Sequence, residues 1–167
     1  MSVRKRTWKT SAGEERQAWI VDYADQAGKR RLKTFARKKD ADAYEVRTKV
    51  DIGEGVHTAD SASITIAAAS ELWLTTCRGR GLERSTITFY EQTVRLHIVP
   101  ALGNLKLSRL TPPLVREFED RMREGETSSA MMRKIRTNLG AILSDAQERG
   151  LVARNVVKDL KARRRRK

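Results

Sequence analysis

Residues Ala18 to Ala24 alternate, with Trp19, Val21 and Tyr23 on one side of an extended chain and Ile20 and Asp22 on the other. A period of two predicts a half-buried strand. The short basic run Val3 to Lys9 precedes it across Thr10-Ser11-Ala12-Gly13, and Asp25-Gln26-Ala27-Gly28 separates it from a third extended run, Lys29 to Phe35. Three antiparallel strands follow from this pattern. From Lys38 to Val50 there is neither Gly nor Pro, and Ala43, Tyr44, Arg47 and Val50 recur on one side of a helix. Such a helix would cover the aromatic face of the sheet and leave the Lys- and Arg-bearing face in water, a face wide enough to lie in the major groove of DNA.

Gly53, Gly55 and the run Thr58 to Ser63 interrupt the periodicity and predict a linker. Beyond it the pattern is helical. Thr65 is placed to cap a helix with Ile66, Ala69, Leu72 and Trp73 on one face, ended by Arg78-Gly79-Arg80-Gly81. Ser85 is placed to cap a second, with Ile87, Tyr90, Val94 and Ile98 as its stripe and Pro100 and Gly103 as its stop. Thr111-Pro112 predicts a third start, with Val115, Phe118 and Met122 inward and Gly125 as terminator. In the fourth helix Met132, Ile135, Leu139, Ile142, Leu143 and Ala146 form one stripe and Arg133, Lys134, Arg136 and Thr137 the opposite one; Gly150 ends it, and a short fifth helix is expected over Asn155 to Leu160. The fold class expected is α+β: a three-stranded antiparallel sheet with one helix (1–55), a linker (56–64), an all-α domain of four to five helices (65–160) and a basic tail (161–167).

Charge sharpens the picture because it is placed, not spread. The 167 residues carry a formal +14, yet residues 1–39 hold twelve Lys or Arg against four Asp or Glu, and residues 40–60 hold two against six. A field of that size attracts polyanions. Anionic membrane is the weaker partner, since neither a basic amphipathic helix with a Trp, Phe or Leu face nor a long apolar span occurs, and no signal peptide opens the chain, which points to an intracellular, cytoplasmic and nucleoid-associated protein. An RNA reader would offer exposed aromatics for stacking, whereas the nine aromatic residues mostly fall on core stripes. Double-stranded DNA is the expected partner, with no small-molecule substrate. A single cysteine, Cys77, and two histidines, His57 and His97, provide no disulfide and no metal-ligand cluster, so no cofactor is expected. His97 reads as a cation at a helix end; Tyr23, Tyr44 and Tyr90 read as packing residues rather than nucleophiles.

The candidate DNA contacts form three groups. Arg4, Lys5, Arg6, Lys29, Arg30, Arg31 and Lys33, read as a set on two neighbouring strands, would neutralise phosphates and offer guanidinium groups to guanine edges. Arg84, Ser85, Thr86 and Thr88 open the second helix, where backbone N–H groups favour phosphate, and Ser129, Arg133, Lys134, Arg136 and Thr137 share the polar side of the fourth. Arg163, Arg164, Arg165 and Arg166 make up most of the basic tail.

The landmarks Ser85-Thr86, Tyr90, His97-Ile98-Val99-Pro100-Ala101-Leu102-Gly103, Leu107-Ser108-Arg109-Leu110-Thr111, Ala146, Gly150-Leu151-Val152 and Asn155 closely resemble, in order and spacing, the core-binding domain of phage-type integrases of the tyrosine recombinase family. Trp19, Tyr23, Gly28-Lys29-Arg30, Phe35 and Lys38-Lys39 leading to Ala41 and Tyr44 resemble the small arm-type DNA-binding domain that precedes it in many members. The resemblance implies a SAM-like helical fold and sequence-specific binding to arm-type and core-type sites in DNA integration. Self-association on DNA is compatible with it. It departs at Asn155-Val156, where the family usually has Asn-Pro. The family's catalytic Arg, Lys, His and Tyr residues lie in a domain that follows the core-binding one, whereas this sequence stops at Lys167, so no cutting activity is expected of these residues. The alternative reading is a stand-alone regulator or decoy that occupies attachment sites without recombining them.

Overall fold

The computed structural model describes residues 1–25, 27–55 and 57–160. The chain divides into two compact units, Met1–Ala59 and Asp60–Lys167.

In the first unit, strands β1 (Ser2–Lys9), β2 (Glu15–Ala24) and β3 (Arg30–Phe35) form an antiparallel sheet in the order β1-β2-β3. Gly13 and Gly28, at φ +80° and +75°, supply the left-handed positions that the two hairpin turns need. The register sets Lys5, Trp19 and Phe35 in one row and Val3, Val21 and Lys33 in the next. Helix α1 (Lys38–Gly53) packs on this face, where Val21, Tyr23 and Ala41 form a small core with Val3, Trp19, Phe35, Tyr44 and Ile52 around it.

The inward side of α1 differs from the expected stripe. Ala41, Tyr44, Thr48 and Ile52 turn to the sheet, whereas Ala43, Arg47 and Val50 are exposed. Small residues at 41 and 48 let the helix approach the aromatic rings; Arg47 and Val50 would not fit there. Tyr23 Oη lies 3.1 Å from Tyr44 Oη and 3.0 Å from His57 Nε2, so His57, to which the sequence assigned nothing, closes the end of this core.

The second unit holds α2 (Ile66–Gly79), α3 (Arg84–Thr93), α4 (Val99–Leu102), α5 (Pro112–Glu124) and α6 (Ser129–Glu148). Their common core centres on Ile66, Trp73, Ile98, Leu107, Val115, Phe118, Ile135, Leu139, Ile142 and Leu143. Thr65 caps α2 as expected, accepting the Ala68 N–H at 3.2 Å. Leu72, placed on its inner face by spacing, is exposed, and Ser70, Leu74 and Cys77 are buried instead; burial pushes the Cys77 thiol up. Part of the stretch read as linker is stitched to this unit. The Ser108 N–H donates to Ser63 Oγ at 3.0 Å, Lys106 Nζ donates to the Asp60 carbonyl at 2.6 Å, and Thr65 bridges Lys106.

Three further expectations change. α3 begins at Arg84 with Glu83 in the capping position, so Ser85 is not a cap. Pro100 does not stop the run. A π-helical turn, Val94–Ile98, follows α3 and hands over to α4, in whose first turn Pro100 sits; His97 therefore lies within a helical run rather than at its end. Gly103 does close it. A Cβ at Gly103 would stand 2.5 Å from the Val99 carbonyl oxygen and 2.9 Å from Val99 Cγ1, so Gly103→Ala should lower stability by about 2 kcal/mol, measurable as a shifted urea midpoint at constant slope.

Asn155 to Leu160 forms turns rather than a helix. The buried Asn155 amide explains this: Nδ2 donates to the Gly140 carbonyl at 2.7 Å and Ser144 Oγ at 2.9 Å, while Oδ1 accepts from the N–H groups of Val157 (3.1 Å) and Lys158 (3.3 Å). Those bonds fix a local turn against α6 in place of a helical ladder.

Candidate nucleic-acid interfaces

In the sheet unit, the basic residues lie on β1 and β3, which are the two edges flanking β2, not neighbouring strands. The register also divides them between faces. Arg4 opposite Ile20 and Arg6 opposite Ala18 share the open face with Asp22, Leu32, Thr34 and Arg30. Lys5, Arg31 and Lys33 belong to the helix-covered face: Lys33 Nζ lies 4.2 Å from the Tyr44 ring centre, and Arg31 Nε donates to Asp25 at 2.8 Å. Lys29 stands exposed in the turn before β3, its backbone N–H held by Asp25.

On the open face, Asp22 is the one acid among the strand residues, and it faces two arginines. Arg30 Nε donates to its Oδ1 at 2.9 Å, Arg30 Nη2 donates to its Oδ2, and Arg4 Nη2 lies 3.6 Å from Oδ2. The Arg30 hydrogen bond, with charge from Arg30 and Arg4 behind it, holds the Asp22 carboxyl below the usual carboxylate range and raises Arg30 in turn. A depressed carboxylate keeps its pairing through neutral pH and loses it only as pH falls through the lowered value.

In the helical unit, Arg133, Lys134 and Thr137 stand exposed on α6, with Ile135, Leu139 and Ile142 buried on its other side. Lys134 Nζ lies 5.0 Å from the Phe89 ring of α3, and a cleft of about 460 Å³ between the two helices is lined by Phe89, Ala130, Arg133, Lys134, Thr137 and Asn138. Arg84, Ser85 and Thr88 at the start of α3, and Ser129 at the start of α6, are exposed, and Thr86 is half-buried. Ser128, not Ser129, caps α6.

Arg136 departs from its group. Its guanidinium donates to the Leu160 carbonyl at 2.9 Å and lies 3.4 Å from Glu119, which Arg116 also engages at 2.8 Å. It ties α6 to α5 and to the turn after α6, and is half-buried. The sequence reading passed over Glu119, although its position one turn after Val115 on the inward stripe of α5 signals an acid that burial would oblige to find partners. Arg163 to Arg166 lie outside the described residues.

Among the described residues no group of three or more His, Cys, Asp or Glu is gathered for a metal, and no helix is long and apolar enough to cross a membrane.

Residues 65–123 match the family described as phage integrase, N-terminal SAM-like domain. The solution structure of the phage integrase SAM-like domain from Moorella thermoacetica is 29% identical with a TM-score of 0.53, covering 65% of this chain and 93% of that one. The integrase-like domain from Bacillus cereus is 23% identical with a TM-score of 0.55, covering 59% of this chain and 82% of that one. A lambda integrase dimer bound to a COC′ core site is 15% identical with a TM-score of 0.56; the likeness extends over 96% of this chain but 45% of that one. No curated protein matches the chain in sequence. The family match falls on the helical unit, and the likeness to lambda integrase extends over both units. Over residues 65–123 the chain is thus similar to the N-terminal SAM-like domain of phage integrases.

Proposed function

We propose that the chain binds double-stranded DNA through two separate faces, the open sheet face engaging arm-type sites and the α3–α6 face engaging the core-type site, as the DNA-recognition part of site-specific integration in a bacterial cell. The observation that carries this is the exposed row Arg133, Lys134 and Thr137 on α6, beside the exposed start of α3. A helix whose opposite side is fully buried presents this row as a rigid basic ridge, which suits a duplex better than a loop of the same charge. Lambda integrase, whose fold this chain shares, was captured on core-site DNA, and that supports the same partner for the helical unit.

The two units then act as linked binding modules, each adding to the other's residence on DNA that carries both sites. Deleting residues 1–59 should remove binding to arm-type duplexes and leave core-type binding within a few-fold, measured by fluorescence anisotropy on separate probes. Loss of both would show that one composite surface, not two, contacts DNA.

A further inference from the structure

The open sheet face carries an acid where a phosphate-binding surface gains nothing from one. Asp22 sits on the central strand, its side chain 15% exposed, between Arg4 (57%) and Arg30 (69%). A pair with arginines this exposed adds little to stability, and the negative charge opposes binding to any polyanion. What Asp22 does supply is orientation. Arg30 has five N–H donors in a planar fork. Two of them, on Nε and Nη2, are directed at the two carboxylate oxygens, so the side edge of the guanidinium is occupied and its plane is fixed. The end-on edge, one N–H from Nη1 and one from Nη2, is left facing away from the carboxylate, with the spacing that matches guanine O6 and N7.

We propose that Arg30 reads a guanine in the major groove through this end-on edge and that Asp22 is the positioning residue that holds it there. The assignment rests on the reading of the open sheet face as a DNA surface, and it adds to that reading which base is recognised and by which atoms. Both carboxylate oxygens of Asp22 are engaged by Arg30, with Arg4 beside them, so Asp22 acts here by holding Arg30 and not as a base reader. Leu32, directly opposite it on β3 and 54% exposed, provides an apolar neighbour on the same face, suited to a thymine methyl group rather than to a phosphate.

The test is in vitro selection of a randomised duplex library with the full chain, followed by affinity measurements on the enriched duplex. The wild-type chain should enrich a guanine that Arg30→Ala no longer selects, a loss of roughly 5- to 150-fold in discrimination at that one position. Asp22→Asn should weaken the preference at the same position while binding a random duplex as well as, or better than, the wild type, and both variants should retain the wild-type circular dichroism spectrum. Placing 7-deazaguanine, which lacks the N7 acceptor, at that position should cost the wild-type chain affinity and leave Arg30→Ala indifferent. An undiminished guanine preference in Asp22→Asn, or a loss spread evenly over every position, would overturn the positioning role in favour of a plain cross-strand ion pair. A cytosine preference that follows Asp22 and ignores Arg30 would overturn it too. If Arg4→Ala, Arg6→Ala and deletion of residues 1–59 all leave the selected sequence and the affinity unchanged, the sheet face is not a DNA surface and both readings fall.

Discussion

Replacing Arg133 and Lys134 together by Glu is expected to reduce affinity for a core-type duplex on the order of 100-fold or more, since each change removes a charge-assisted contact and adds a like charge against phosphate. Converting the same pair to Gln separates the two effects. Loss of two phosphate contacts should lower the slope of log K against log salt by about two units, because fewer counterions are released on binding. The structure says why the fold should tolerate this: both side chains are exposed, and neither enters an ion pair among the described residues. Arg136 belongs in a separate experiment. Reversing it would set a negative charge beside Glu119 and release the Leu160 carbonyl, so lost binding could be mistaken for lost contact when it reflects damaged packing. Anisotropy titrations at three salt concentrations, with thermal melts alongside, make the comparison; equal affinity and equal slope in the Gln pair would remove α6 from the interface.

Asn155→Ala should destabilise the helical unit by about 3 kcal/mol. Its side-chain amide makes four hydrogen bonds at a site that is 4% exposed, and Ala would leave the Val157 N–H without its acceptor and take one of two side-chain donors from the Gly140 carbonyl, which keeps Ser144 Oγ at 3.0 Å. Unsatisfied buried groups cost about 1–3 kcal/mol each, with some relief from water entering. The turn they hold brings Val157 onto α6, where Gly140 leaves room for it: a Cβ there would stand 3.4 Å from Val157 Cγ1. Asn155→Asp keeps the acceptor and loses the donor, so it should recover only part of the stability. Urea denaturation of the three proteins gives the order; a neutral Asn155→Ala would mean that the turn contributes nothing to the fold.

Much of this architecture was legible in the sequence because burial on one side writes a period into the chain. The stripe of α6 was read residue by residue, and so was that of α5, where Val115, Phe118 and Met122 are all buried. The alternation in β2 gave the helix-facing residues, though Ile20, on the other side, is also buried at 4% exposure. Helix α1 was misread because its contacts with the sheet are made by Ala41 and Thr48, small or polar residues that hydrophobic spacing does not weigh. The division of the basic strand residues between two faces depends on register, and the sequence fixes register only where a turn type is unambiguous. Arg136 could not be separated from ordinary surface charges, since what distinguishes it is a partner on another helix, whereas Glu119 was marked by its place on the inward stripe of α5. The helical run through Pro100 was cut short because proline was weighed alone, without the turn that precedes it.

That turn has a consequence for how the helical unit is assembled. Tyr90, Val94, Ile98 and Leu102 are spaced by fours, and in an unbroken α-helix such a series would creep around the axis by about 40° at each step. The π-helical turn Val94–Ile98 widens one loop of the backbone and takes up that creep, so Ile98 and Leu102 arrive in the same core as Val94. The run is thus three segments when counted by hydrogen bonds and one continuous spine when counted by what it buries, with the phase of its side chains conserved where the phase of its ladder is not.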